Sequence, residues 1–466
     1  MRKITIIGAG GYVFPIRLSV DILSLPELQD SLLYLHDINP RTLAHNKALV
    51  KRIVARNSLP TKVEAGTGLE RALDGANYVI IAFQVGGVEA YKWDVEIPRR
   101  YGVDQCVGDT LGPGGVFRGL RTIKAFRKIA DVMRRVCPDA VLLQYANPMP
   151  INTWALHLMG IRAVGLCHSV QGTSRMLIEK AKLPYDEVSF KCGGVNHQAW
   201  FTEFTHRGED VYPRIREAMF KACPSPLEVN RKTGKPKARY EQRGLEHRVT
   251  DDFYYWELPR TEIMRTFGYF QTESSHHASE YVSWFRKNPR MVNTYIPRRW
   301  DYYQISCAYK EAKNQAYLDR LVDGDLNLSE EYGARIIHSL STGTKRVIYG
   351  SIPNWGPPGT PPTVPASHVI TNLPQYSCVE TAVLVDRNGL QPVMFGDLPP
   401  QCAAINRQCI NVQELTIKAA FTGEKQYVHQ AIAMDPLTSA LLTLPQIRSM
   451  VDEMFKAEAR WLPRMV

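Results

Sequence analysis

The chain has 466 residues, 44% apolar and 22% charged, with nine cysteines and a formal net charge of +11. This composition is that of an ordinary folded protein. No apolar run reaches the ~20 residues of a membrane span, and Met1-Arg2-Lys3-Ile4 leads straight into a strand pattern with no secretory leader. The cysteines follow no disulfide spacing, which reads as reduced thiols in the cytoplasm. The basic residues are dispersed apart from Asn230–Arg248 and accompany no nucleic-acid motif, so neither nucleic acid nor membrane is an expected partner.

The first predicted element is a strand at Lys3–Ile7, followed by Gly8-Ala9-Gly10-Gly11 and a helical run to Leu23. Strand, glycine turn and helix form the arrangement that cradles a pyrophosphate, because a Cβ would block the turn or the approach of phosphate. The third glycine of the dinucleotide fingerprint falls at Val13. A second strand, Ser31–His36, ends in Asp37, an acceptor suited to ribose hydroxyls. A helix to about Arg56, a strand near Val63, a turn at Asp74-Gly75-Ala76 and an apolar strand at Tyr78–Phe83 follow. Leu120–Val136 reads as a helix, with strands at Ala140–Tyr145 and Ala163–Leu166. Strands alternating with helices predict a Rossmann-like, doubly wound parallel sheet. We assign it to residues 1–200 and an α+β substrate-binding domain to 201–466.

Four polar stretches are expected at the C-terminal strand ends, where open α/β sheets bind ligands. They are Gln84-Val85-Gly86-Gly87, Gly108–Gly115, Asn147-Pro148-Met149 and Cys167-His168. A strand at Val188–Gly193 leads to Gly194-Val195-Asn196-His197. Cys167 and His197 are suited to a divalent metal as thiolate and imidazole; equally, they suit a buried thiol and a hydrogen-bonded histidine. Further on, Gly268–His277 is dense in hydrogen-bonding side chains, Tyr302–Val322 is helical, Ile352–Pro374 is a proline-rich loop, and Cys378–Asp386 is a strand. The last ~60 residues carry two or three helical patterns, interrupted near Asp435-Pro436.

The ordered set Gly8-Ala9-Gly10, Asp109–Gly115, Asn147-Pro148-Met149, Cys167-His168-Ser169-Val170, Asn196-His197, Thr272-Glu273-Ser274-Ser275 and Asn411-Val412-Gln413 runs almost end to end. It resembles glycoside hydrolase family 4, glycosidases that depend on NAD and, usually, Mn²⁺. Cys-His-Ser-Val followed by Gln171-Gly172-Thr173 is similar to the melibiase-type α-galactosidase branch. Phosphosugar branches instead carry Cys-Asn or Cys-Asp and an arginine where Gln84 stands.

The resemblance implies a domain pair like that of lactate and malate dehydrogenases, and an α-glycosidase for non-phosphorylated hexoses. It implies transient oxidation of sugar C3 by NAD⁺, deprotonation at C2, elimination, addition of water and return of the hydride. Cys167 and His197 match the ligands of Mn²⁺, for which Ni²⁺ or Co²⁺ can substitute beside a soft thiolate. Tyr281 matches the base at C2. His168 is the expected proton donor, with Asp109 its rival; both are also expected, with Asn147, to bind sugar hydroxyls. Gly8, Gly10, Gly11, Asp37, Gln84 and Asn147 are the expected NAD contacts. Family members commonly form homodimers or homotetramers.

The chain departs from that branch at Gly11-Tyr12-Val13, at the doubled His276-His277, in the Ile352–Pro374 loop and at Arg298-Arg299-Trp300. The added basic character keeps open an anionic hexoside, a uronide or a sulfoquinovoside. A 2-hydroxyacid dehydrogenase or a non-catalytic NAD-sensing protein would share the fold without a metal-ligating cysteine.

Overall fold

The computed structural model describes residues 1–226, 252–296, 302–305, 311–361 and 368–466. The basic cluster at Asn230–Arg248 and Arg298-Arg299-Trp300 lie outside the described residues. In chain order the strands are β1 (Arg2–Ile7), β2 (Ser31–His36), β3 (Lys62–Gly66), β4 (Tyr78–Ile81), β5 (Val141–Gln144), β6 (Ala163–Gly165), β7 (Val188–Gly193), β8 (Trp200–His206), β9 (Glu209–Asp210), β10 (Phe270–Gln271), β11 (Arg346–Pro353), β12 (Cys378–Asp386) and β13 (Gly389–Pro392).

Nine strands form one sheet in the order β13-β12-β11-β6-β5-β4-β1-β2-β3. The run from β3 to β6 is parallel, and β11, β12 and β13 extend it antiparallel through the pairing of Ser351 with Gly165. All four residues of both β4 and β5 are buried, as expected of central strands covered by helices on both faces. The order reverses between β1 and β4. At this switch point successive crossovers leave for opposite faces, and a crevice opens beyond the strand C-termini. The strands β7, β8, β9 and β10 form a second, antiparallel sheet. A bridge between Gly194 and Glu380 of β12 joins the two. Each sheet therefore takes strands from both sides of residue 200.

Four expectations differ. The stretch Gly108–Gly115 follows the helix Gly87–Arg100 rather than a strand, and the helix expected from Leu120 begins at Gly112. Its glycines serve close packing: a Cβ on Gly114 would lie 2.3 Å from the Gly108 carbonyl oxygen, and one on Gly115 would lie 2.5 Å from the Thr110 carbonyl carbon. The expected loop from Ile352 begins after Pro353, because β11 occupies its first two positions. The C-terminal region holds four helices: Pro400–Thr422, Lys425–Ala433, Pro436–Leu441 and Leu444–Glu458. Their buried residues join the cluster that contains Ile4 and Ile6 of β1, so one apolar core runs between the two halves of the chain.

Candidate active site

The turn after β1 is built for close approach. Gly8 has φ +93°, and a Cβ there would meet the Ala82 carbonyl oxygen at 2.5 Å and Phe83 Cβ at 2.7 Å. The turn engages its own donors. Gly8 and Ala9 N–H both donate to the His36 carbonyl at 2.9 Å, and Gly11 N–H donates to the Gly8 carbonyl at 3.1 Å. Gly10 N–H donates to Asp37 Oδ2 at 2.8 Å, and Asn39 N–H donates to Oδ1 at 2.8 Å. The helix that follows, Phe14–Leu23, has no side-chain cap, so its first-turn N–H groups are the donors suited to an anion. A tight glycine turn, an uncapped helix start and a carboxylate just after β2 fit a dinucleotide.

The remaining polar residues are tied together by a line of hydrogen bonds. Gln84 Oε1 accepts from the Arg118 guanidinium at 3.0 Å, and Arg118 Nε donates to the Asn147 carbonyl at 3.1 Å. Asn147 Nδ2 donates to Asp109 Oδ2 at 2.8 Å, while its own Oδ1 is buried without a partner. Thr110 Oγ1 donates to Asp109 Oδ1 at 2.7 Å and lies 3.0 Å from His197 Nδ1. With its proton given to Asp109, the Thr110 oxygen accepts from Nδ1–H of His197, which leaves Nε2 as the bare lone pair. That lone pair lies 3.4 Å from Cys167 Sγ, the separation of two donors that share one ion. Thr110 thus fixes the tautomer that a metal-ligating imidazole needs.

The electrostatics are those of a crowded, mostly buried cluster. Burial, then the Glu273 carboxylate, pushes the Cys167 thiol up to about 12, so it keeps its proton near neutrality until a cation displaces it. Burial opposes ionisation of Glu273, but the charges of the His277, His197 and His168 rings in their protonated forms, before any ion is bound, outweigh it and hold the carboxyl down to about 2. Asp109 is likewise held below the usual carboxylate range against burial, by His277, Arg118 and His197. Tyr281, directly after the helix Ser275–Glu280, is buried, its ring 6.2 Å from that of His277. Burial and the Asp109 charge push its hydroxyl well above the ordinary phenol value. His168 Nδ1 lies 3.2 Å from Glu331 Oε1 and its side chain is 67% exposed. That carboxylate, by its hydrogen bond, raises the His168 pKa.

Asp109, Asn147, Cys167 and His197 thus share one network that reaches Gln84 through Arg118, with Tyr281 and His168 at its edges. Gly8, Gly10, Gly11 and Asp37 form a neighbouring cluster, where Gly8 abuts the Ala82-Phe83 segment just before Gln84. Sequence reasoning passed over Thr110 and Glu273 as individual residues and noted His277 only as part of a doubled histidine, although all three lie in stretches it singled out. Glu331 carries no sequence signal, since it meets His168 across 163 positions.

A doubly wound sheet with a glycine turn at its switch point and a thiol–imidazole pair beyond its strand ends defines a nucleotide-dependent α/β enzyme with a metal-capable centre. Residues 3–183 match the sequence model of family 4 glycosyl hydrolases, and residues 192–438 match that of the family's C-terminal domain. The chain belongs to family 4 of the glycosyl hydrolases. It is 36% identical over 476 residues to an α-galactosidase of Rhizobium meliloti (strain 1021), spanning 99% of this chain and 89% of that one. It is also 36% identical over 472 residues to an α-galactosidase of Bacillus subtilis (strain 168), spanning 99% of each. The fold is similar to that of a 6-phospho-α-glucosidase from gut microorganisms, crystallised in complex with NAD and Mn²⁺. The TM-score is 0.75 and the identity 18%, over 100% of each chain. Among the described residues, no helix is long and apolar enough to cross a membrane.

Proposed function

We propose that this chain is an NAD- and Mn²⁺-dependent α-galactosidase that hydrolyses α-glycosides of non-phosphorylated hexoses. The observation that carries the reading is the Cys167–His197 pair, its donors 3.4 Å apart, joined through Thr110 to Asp109 and Asn147. The two α-galactosidase relatives supply the sugar.

When bound, NAD⁺ takes and returns a hydride and the divalent ion withdraws charge from sugar oxygens. The chain's own residues do the rest. The first turn of Phe14–Leu23 and the glycine turn hold the pyrophosphate, and Asp37 accepts from the ribose. Asn147 Oδ1, buried and without a partner, accepts from a sugar hydroxyl, with Asp109 as a second acceptor. Tyr281 would take the C2 proton as the phenolate, after its own hydroxyl proton has passed to solvent, and a divalent ion held by Cys167 and His197 would favour that ionised form. His168, kept protonated by Glu331, donates to the leaving oxygen. NAD binding is assigned to residues 1–200, and sugar binding and assembly into a homodimer or homotetramer to residues 201–466. The eight described cysteines are all free thiols, which supports a cytoplasmic setting.

The charges favour a neutral hexose over a uronide or sulfonate. Arg260 is paired with Glu257, and the Arg118 charge, which bonds Gln84 and Asn147 and keeps one amino group unpartnered, faces Asp109. Asp109, Glu273 and Glu331 would oppose an anionic sugar. The test is cleavage of p-nitrophenyl α-galactoside, α-glucuronide and α-sulfoquinovoside, with Mn²⁺ and NAD⁺ supplied or withheld. We expect cleavage of the galactoside alone, and only with both additions. Cleavage by NAD-free, chelator-treated protein would refute the mechanism, and cleavage of only an anionic glycoside would refute the sugar.

A further inference from the structure

We propose that Glu273 is a third protein ligand of the metal, completing a thiolate–imidazole–carboxylate face with Cys167 and His197. This rests on the reading that those two residues hold the ion, and it adds a donor from the second sheet.

The fold brings Glu273 there through main-chain pairing. Gln271 of β10 pairs with Trp200 of β8, Thr272 N–H donates to the Ala199 carbonyl at 2.8 Å, and the Thr272 hydroxyl accepts from Ala199 N–H at 3.2 Å. Glu273 is the next residue, and the residues that Gln271 and Thr272 meet, Trp200 and Ala199, follow closely on His197. Both His197 and Glu273 have φ +66°. Left-handed backbone is uncommon for a side chain such as glutamate, and such strain gathers where a side chain must be aimed.

The three donor atoms lie mutually close. Cys167 Sγ is 3.4 Å from His197 Nε2 and 3.9 Å from Glu273 Oε2, which is 3.7 Å from His197 Nε2. Bond lengths of ~2.0–2.3 Å at right to tetrahedral angles put neighbouring ligands about 3.0–3.6 Å apart. All three separations are within a few tenths of an ångström of that range.

His197 and Glu273 each have their other polar atom held by a neighbour. His197 Nδ1 meets Thr110, and Glu273 Oε1 lies 3.4 Å from His277 Nδ1, which Ser274 Oγ meets at 2.8 Å. A second cluster, Asp109, His197 and His277, shares the same imidazole. Both Asp109 oxygens already accept hydrogen bonds, from Thr110 and Asn147. A thiolate and a carboxylate together cancel the charge of a divalent ion, and the carboxylate gives Mn²⁺ the hard oxygen donor that sulfur is not.

The test is Mn²⁺ titration of the metal-free full-length protein, followed by electron paramagnetic resonance of free Mn²⁺, and visible absorption of the Co²⁺-loaded protein. E273Q should weaken Mn²⁺ binding by at least about tenfold and change the Co²⁺ ligand-field bands, while the thiolate-to-cobalt charge-transfer band stays. C167S should lose that band. Unchanged Mn²⁺ affinity and ligand-field bands in E273Q, with loss in C167S, would overturn the assignment of Glu273 alone. Unchanged affinity in C167S would instead overturn the underlying metal reading. If E273Q does not fold, anomalous diffraction from Mn²⁺-loaded wild-type crystals decides. An ion ~2.0–2.2 Å from Glu273 Oε2 supports the assignment, and an ion on Cys167 and His197 out of Glu273's reach overturns it.

Discussion

Gly8→Ala should damage both the fold and nucleotide binding, and the geometry sets the size of the loss. Gly8 has φ +93°, and its would-be Cβ lies 2.5 Å from the Ala82 oxygen, 2.7 Å from the Ala82 carbonyl carbon and 2.7 Å from Phe83 Cβ. The backbone conformation costs a non-glycine residue roughly 1–2 kcal/mol. The contact adds about 1–3 kcal/mol of overpacking, because two of the three atoms are main chain of the segment leaving β4 and cannot rotate away. The sum is about 2–5 kcal/mol, taken from the adjoining ends of β1 and β4, where the dinucleotide crevice opens. Gly11 in the same turn is the control: its nearest neighbours to a Cβ are at 3.3 Å, and its φ is not positive. Urea unfolding of the metal-free protein and NAD⁺ binding by calorimetry would read both effects. We expect G8A to lower the unfolding free energy by that amount and weaken NAD⁺ by at least tenfold, with the unfolding free energy of G11A close to wild type. Equal behaviour of G8A and G11A would refute the argument that close approach of β1 to the Ala82-Phe83 segment shapes the site.

Two further outcomes follow from buried charge. Metal uptake should strengthen with pH, because the Cys167 thiol, held near 12 by burial and Glu273, must release a proton to bind. Mn²⁺ affinity is expected to rise about tenfold per pH unit between roughly pH 6 and 8, and a pH-independent affinity would exclude the thiolate. Arg121→Met should destabilise the protein by about 3–5 kcal/mol, since Arg121 is a fully buried partner of both Asp94 and Glu458. Burial already raises both carboxyls; without the guanidinium their folded-state pKa values rise further above the unfolded ones. The loss should therefore be smaller at pH 5 than at pH 8 in urea titrations, and equal losses would contradict this account.

Apolar strands buried on both faces were the most legible part of this sequence. Ser31–His36 and Cys378–Asp386 run as strands over the expected residues, because a run of apolar side chains between turn residues has few other ways to be buried; Val188–Gly193 does so too, with Ser189 exposed. The start of the helix at Gly112 was hidden by glycines, which read as a loop in sequence and act as packing spacers in space. The pairing of β7 with β8, and the return of β11–β13 to the edge of the first sheet, depend on contacts between distant segments that no local pattern encodes.

The candidate site divides along the same line. Asp109, Asn147, Cys167 and His197 stand in short polar stretches beside glycine or proline, so their chemistry shows in the sequence. Thr110, Glu273 and Glu331 act through what they face: a histidine 87 positions away, a cysteine 106 away and a histidine 163 away. The second sheet brings Glu273 to Cys167, because its short β10 pairs with β8 a few residues after His197. A small antiparallel sheet docked on β12 therefore presents donors from two of its strand ends to a cysteine at the end of β6. The metal-capable centre lies at the junction of the two sheets, beyond the first sheet's strand C-termini. Its geometry therefore depends on how the sheets meet, which is why the ligand face shows only in the folded chain.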